Sequence, residues 1–203
     1  MVDSAADERR QEIASLAVSR FALRGFDGTS MSDLARHVGL SKAGIYHYFP
    51  SKEAILFEAL LGYSERLLVT VLDAVDGGGE PSERLVRVVE AILYLYQDAD
   101  AYHQAQVNDL ARLPESEQEV IRSNERQVVR AMEELLGQLG AGLEISTIKA
   151  LTMSTFGILN WHARWFREGP GRIDLVEYAK LVTEFVLAGM NGVVAMRATE
   201  VGP

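Results

Sequence analysis

The stretch "SKAGIYHYFPS", Ser41 to Ser51, gathers three aromatic rings, a lysine and a histidine between two serines, a run too short to form a core of its own. Ser41 suits the start of a helix, and Pro50 removes a backbone donor that a continuing helix would need, so the spacing predicts a helix ending at about Phe49. Immediately upstream, Ser30 precedes Asp33 at the capping-box interval and opens a short helix over about Met31 to Val38, which Gly39 stops. Only "VGLS" remains between the two. Two short helices joined by a glycine-containing turn form the helix-turn-helix arrangement, whose second helix enters the major groove with its first residues at base edges. Those residues are Ser41, Lys42 and Ala43. Gly44 forgoes about 1 kcal/mol of helix propensity relative to alanine, which points to a close backbone approach there, with DNA as the candidate.

Helical spacing divides the aromatics. Ile45 and Phe49 are four apart and face inward, with Tyr48 beside them, whereas Tyr46 and His47 point elsewhere. A phenol or an imidazole donates to a phosphate oxygen, and Lys52 adds a positive charge at the start of the next helix, where free amides also favour an anion. A small three-helix subdomain with an aromatic cluster and no ligand would satisfy the same pattern.

Outward from this stretch the chain reads as all-α, with about nine helices. Ile13, Leu16, Ala17 and Phe21 stripe a first helix that ends at "RGFDGTS". A long fourth helix carries Leu56, Leu60, Tyr63, Leu67 and Val71 and breaks at "DGGGEPS". A fifth follows over Leu85 to Tyr96, a sixth ends before Pro114, and a seventh opens at "LPESEQE", where acids suit the helix dipole. Ser146 is the expected cap of the eighth, which runs to Arg167; Asp174 with Glu177 boxes a ninth that ends near Gly189. The division expected is a helix-turn-helix domain over 1–52 and a ligand-binding and dimerisation domain over 53–203.

Charge follows the same division. The 203 residues carry a net charge of −9, yet residues 1–52 hold seven Lys/Arg against six Asp/Glu while residues 53–203 hold thirteen against twenty-three. An acidic body with a neutral-to-basic head can present that head to a polyanion. There is no cysteine, which excludes disulfides and thiolate chemistry and fits a reducing compartment. No uninterrupted apolar run of about 18 residues or apolar leader is present, so the expectation is a cytoplasmic protein with no membrane partner. His37, His47, His103 and His162 form no ligand-spaced pair, and no glycine-rich phosphate cradle or nucleophile elbow occurs, so neither a metal, a cofactor nor catalysis is expected.

The segment "FALRGFDGTSMSDLARHVGLSKAGIYHYFPSKEAIL", Phe21 to Leu56, closely resembles the DNA-binding head of the tetracycline-repressor (TetR/AcrR) family of transcriptional regulators. "HVGLS" stands where Ala-Gly-Val-Ser is commoner, a change that touches no backbone requirement. The resemblance implies that Thr29, Tyr46, His47 and Lys52 meet phosphates and that Ser41, Lys42 and Gly44 lie against bases. It also implies an all-α homodimer with an inducer pocket in its larger domain, and no catalysis.

Specific readout needs two heads about 34 Å apart on a palindrome, and something must hold them there. The terminal helices are the candidates, through Ile148, Leu151, Thr155, Ile158 and Leu159 on one and Tyr178, Leu181, Val182, Phe185 and Val186 on the other. The tract "STFGILNWHARWFREGPGR" is the expected effector wall, with Phe156, Asn160, Trp161, Arg164 and Trp165 on it and Arg167 and Arg172 near its mouth. Rings and guanidinium forks suit an apolar molecule carrying anionic groups. The alternative is core tryptophans with arginines paired to Glu168 and Asp174. Tyr94, Tyr102, His103, Asn108 and Arg112 are candidates for the opposite wall. "NWxxRWF-REGPG" and "LVxxFVLAGM" resemble a subgroup of the family that regulates fatty-acid, steroid and phenylacetate catabolism, several members of which respond to acyl-CoA thioesters.

The function expected is a ligand-responsive repressor that binds a palindromic duplex operator as a homodimer and is released by a small apolar or amphipathic effector. A multidrug-type effector on the same head, or a helical interaction protein without DNA binding, are the alternatives; the second leaves Lys42, Gly44 and His47 unaccounted for.

Overall fold

The computed structural model describes residues 3–97, 99–167 and 169–200. Among the described residues the chain forms nine α-helices and no strand. In order they are α1 Asp3–Arg24, α2 Met31–His37, α3 Lys42–Tyr48, α4 Lys52–Asp76, α5 Pro81–Tyr96, α6 Asp100–Asp109, α7 Glu115–Leu139, α8 Ile145–Trp165 and α9 Leu175–Glu200, with a 3-10 turn at Leu110–Arg112 after α6.

Two compact units divide the chain, Met1–Arg66 with Asp98–Asn124, and Leu67–Gln97 with Glu125–Pro203. This packing division is distinct from the functional boundary expected at residue 52. In the first unit α1 packs on α2 and α6, and α2 on α3. Its core collects Ile13, Ala17, Phe21, Leu34, Ile45 and Phe49. Burying one such large apolar side chain contributes roughly 1.5–3 kcal/mol, which lets helices of seven residues persist. In the second unit α5 lies against α9 and α8. Leu85, Val88, Ile92 and Leu93 of α5 are buried there with Leu159, Ala179 and Val182.

Two helix ends differ from the sequence expectation. The N-cap of α8 is Glu144, and Ser146 lies inside the first turn, where its hydroxyl donates to Glu144 Oε2 at 3.3 Å. α9 continues past Gly189 to Glu200. A glycine stops a helix only by adopting a left-handed conformation, and Gly189 is not among the residues with positive φ. At the other end of α9 the expected cap forms, with the Glu177 amide donating to Asp174 Oδ1 at 2.8 Å.

Candidate nucleic-acid interface

α2 and α3 are short, so their ends are held by specific bonds. Ser30 Oγ accepts from the Asp33 amide at 3.1 Å, and the Asp33 carboxylate takes the Ser30 amide at 3.2 Å and its hydroxyl at 2.6 Å, a closed capping box. The Ser30 hydroxyl and amide, aided by Arg36, hold the Asp33 carboxyl below its ordinary pKa. At the far end of α2, Gly39 adopts φ +70°, and the Leu40 amide reaches back to Ala35 O at 2.8 Å, closing a Schellman turn. The turn into α3 ends at Ser41, whose Oγ accepts from the Gly44 amide at 3.0 Å.

α3 therefore starts abruptly, with Ser41, Lys42 and Ala43 exposed at its tip and Ile45 and Phe49 buried beneath. Tyr46 and His47 are exposed, and Tyr48 is half-buried with its ring edge toward His47. Gly44 has an internal reason beside any close approach by DNA. A Cβ there would stand 3.2 Å from the capping Ser41 Oγ, so the hydroxyl would have to give way.

Two residues that the sequence reading assigned to phosphates are engaged within the head. Thr29 is 1% exposed, and its hydroxyl donates to Gly25 O at 2.8 Å, so its side chain is not offered to a ligand. Half-buried Lys52 donates through Nζ to Phe26 O at 2.8 Å and lies 4.4 Å from the centre of the Phe26 ring. The lysine keeps further N–H donors, but it is also a strut.

The turn after α1 is closely built. A Cβ on Gly28 would come 2.6 Å from Arg24 O, which excludes any larger residue without a backbone shift. Asp27 in that turn takes a fork from Arg112, with Nη1–Oδ1 2.9 Å and Nη2–Oδ2 2.7 Å, while Arg112 Nε donates to Asp109 at 2.8 Å. Arg112 also stands over Phe26 at 5.1 Å. The hydrogen bonds that Arg112 donates to Asp27 and Asp109 push its pKa up, so this candidate for the effector wall is committed to two carboxylates. Asn108 and Arg112 line a groove of about 420 Å³ with Phe21, Gly25 and Gln104.

The other effector candidates are divided between the two units. In the first unit Tyr102 stacks on Tyr63 with centroids 4.9 Å apart, and the Tyr63 hydroxyl shares a 2.9 Å hydrogen bond with His103 Nε2. Burial lowers the His103 pKa against the opposing charge of Asp100. In the second unit Phe156 is buried, but Tyr94, Asn160 and Arg164 are exposed, as are Trp161 (61%) and Trp165 (52%). In the single chain both tryptophan rings are therefore at least half open to water. Arg164 stands over the Trp161 ring at 5.1 Å, and Trp165 packs edge-to-face with Phe166 and Tyr178. The Arg167 guanidinium donates to Phe166 O and Arg172 to Arg167 O; Glu168 lies outside the described residues.

The expected dimer residues separate by helical position. Ile148, Thr155, Leu159, Tyr178, Val182 and Val186 are buried within the single chain and offer a partner little surface, and Leu151 and Ile158 are half-buried. Leu181 (54% exposed) and Phe185 (68% exposed) face outward, joined by Met153 and Met196, which the sequence reading had missed. Gly157, Gly189 and Gly192 leave open space on α8 and α9. No group of three His, Asp or Glu side chains suited to a metal ion occurs among the described residues.

A family model described as "Bacterial regulatory proteins, tetR family" matches residues 13–59, and one described as "Tetracyclin repressor-like, C-terminal domain" matches residues 78–190, more than half of the chain. The chain belongs to the tetR family. Its members of known role make it a transcriptional regulator rather than an enzyme. The HTH-type transcriptional repressor KstR2 of Mycobacterium tuberculosis is 35% identical over 101 residues, about half of each chain (50% and 48%). KstR2 of Rhodococcus jostii is 28% identical over 194 residues, covering 90% of this chain and 91% of that protein. A tetR-family regulator from Bordetella parapertussis superposes with a TM-score of 0.78 at 28% identity, over 88% of this chain and 93% of that one.

The sequence reading of this tetR-family head missed Arg10, Phe26 and Asp27. Arg10 had a legible signal, because it precedes Ile13, Ala17 and Phe21 on the buried face of α1, an unusual place for an unpaired cation. Asp27 had none, since its partner lies 85 residues away.

Proposed function

We infer that the chain is a ligand-responsive repressor that binds a palindromic DNA operator as a homodimer. The observation that carries this reading is the form of α3. Its leading residues Ser41, Lys42 and Ala43 and its outer Tyr46 and His47 are exposed, while Ile45 and Phe49 anchor the opposite face. In this assignment Lys42 reads base edges, and Tyr46, His47 and the remaining donors of Lys52 hold phosphates. Residues 1–52 act as the DNA-binding domain, and residues 53–203 carry the effector and the dimer contact.

The second copy is proposed to cover Met153, Leu181 and Phe185, a face that a single chain leaves in water. Within Leu175–Arg197 of α9 an 18-residue window has a mean hydropathy of 1.3, and the proposal assigns that apolarity to the partner helix rather than to lipid, with the protein in the cytoplasm. The repressor name of KstR2, shared at 28% identity over nine-tenths of the chain, supports the direction of control.

The effector proposed is a small apolar or amphipathic molecule, with an acyl-CoA thioester as the specific candidate. Support comes from the "NWxxRWF-REGPG" resemblance and from the arginines beside the exposed tryptophans. α4 is one continuous helix that begins at Lys52 in the head and runs for 25 residues. An effector that changes its set alters the spacing of the two heads, and ligand and operator then oppose each other by one coupling free energy, typically about 1–3 kcal/mol.

The test is selection of duplexes from a random pool by the purified protein, followed by titration of the recovered operator with and without acyl-CoA. Palindromic recovery and lowered affinity with effector are expected, with Lys42→Ala relaxing preference at particular positions. Equal loss on every sequence in Lys42→Ala would remove the base-reading role.

A further inference from the structure

α3 has seven residues, and of these only Ile45 is buried, so the helix cannot set its own tilt. What sets it lies at the end away from the tip. The Arg10 guanidinium of α1 donates through Nη1 to Tyr48 O, one of the free carbonyls at the C-terminus of α3. Its Nη2 pairs with Glu58 Oε2 of α4 at 2.8 Å, and its Cζ lies 4.4 Å from the centre of the Phe49 ring, which is fully buried. One planar cation thus joins α1, the end of α3, the ring that anchors α3, and α4. A positive charge at that helix end is also favoured by the aligned peptide dipoles.

We propose that Arg10 is a positioning residue for operator recognition, fixing the angle at which α3 presents Ser41, Lys42 and Ala43. It acts through Tyr48 and Phe49 and touches no DNA. α3 is about 10 Å long at 1.5 Å per residue, so a tilt of about 10° at the clasp moves the tip by roughly 2 Å. Base-edge hydrogen bonds tolerate displacements of only about 0.5 Å, whereas phosphate contacts from flexible side chains follow the backbone. Loss of the clasp therefore degrades discrimination between sequences more than it degrades binding to DNA in general. Lysine keeps the charge but not the fork, and it cannot serve Tyr48 and Glu58 in the same plane.

The inference rests on the DNA-binding reading above, and its test separates the two. Binding of Arg10→Lys, Arg10→Gln and Glu58→Gln is measured on the duplex that the wild-type protein enriches from a random pool and on a scrambled duplex of equal composition, across a salt series and below each variant's thermal midpoint. The ratio of the two affinities is expected to fall roughly tenfold in Arg10→Lys and a few-fold in Glu58→Gln, with scrambled-duplex affinity and salt slope unchanged. A wild-type ratio in folded Arg10→Lys overturns the proposal, including when only the thermal midpoint has dropped. Equal losses on both duplexes in Arg10→Gln, with a salt slope smaller by about one and recovery in Arg10→Lys, would make Arg10 a phosphate contact instead. If the wild-type protein enriches no sequence at all, the regulator reading falls and takes this inference with it.

Discussion

The helix-turn-helix head and the α8–α9 pair use their polar groups in opposite ways. In the head, polar side chains connect one element to another: Arg10 reaches α3 and α4, Lys52 reaches the turn after α1, and Arg112 reaches Asp27 in that turn. On α8 and α9 the hydroxyls of Thr152, Ser154, Thr155 and Thr183 each donate to the carbonyl four residues back in the same helix. Directional bonds between elements fix orientation, which a groove-reading helix needs. Apart from the bond that Arg197 of α9 donates to Thr147 of α8 at 3.3 Å, these hydroxyls are satisfied within their own helix, and such helices offer a neighbour mainly shape and apolar area, which is what a like helix from a second copy can use.

The largest expected break is on the α8–α9 side. Phe185→Glu changes a residue that water already touches in the single chain, so the fold should hold to within about 0.5 kcal/mol. In a two-fold dimer the same change buries two unpaired carboxylates, each costing several kcal/mol. Sedimentation is expected to give a monomer with unchanged helicity and lost operator binding. A dimer that survives Phe185→Glu would move the interface elsewhere.

A core change in the head comes next. Phe49→Ala removes a fully buried ring and the platform under the Arg10 cation, at about 3–5 kcal/mol. Denaturant unfolding should show that loss, while the Phe185→Glu variant unfolds like the wild type. Losses of similar size in both variants would mean that α9 is core in the single chain, and the contrast between the regions would fail.

This contrast also explains what the sequence could disclose. The caps at Ser30 and Ser41 and the turn at Gly39 were legible because their partners lie within a few residues. Ile45 and Phe49 were legible because burial follows helical period. On α8 and α9 periodicity marked apolar positions but could not separate the two apolar faces, so buried Leu159 and Val182 were grouped with exposed Leu181 and Phe185. The tryptophans were ambiguous for a related reason: large rings usually lie inside, whereas Trp161 and Trp165 are exposed in the single chain. The clasps through Arg10 and Arg112 join residues 38, 48 and 85 positions apart; the place of Arg10 on the buried face of α1 signals that it needs a partner, but one sequence does not say which.

The smallest effect expected is at the start of α2, and it has two parts that pH separates. Ser30→Ala removes the bond from the Asp33 amide, which is independent of pH, and the hydroxyl bond that does most to lower the Asp33 pKa, while the backbone amide of residue 30 keeps its own bond to the carboxylate. An N-cap of this kind contributes about 1 kcal/mol. A depressed folded-state pKa adds stability that is fully present above the unfolded value, near pH 4, and disappears as pH falls through the lowered value. The gap between wild type and Ser30→Ala in denaturant midpoint should therefore be widest at neutral pH and narrow in acid to what the amide bond alone supplies. Asp33→Asn should show the complementary result, costing stability at pH 7 and little once the native carboxyl is protonated. A gap that stays constant from pH 7 into strong acid would show that Ser30 acts only through the amide, leaving the head's first helix boundary held by geometry rather than by charge.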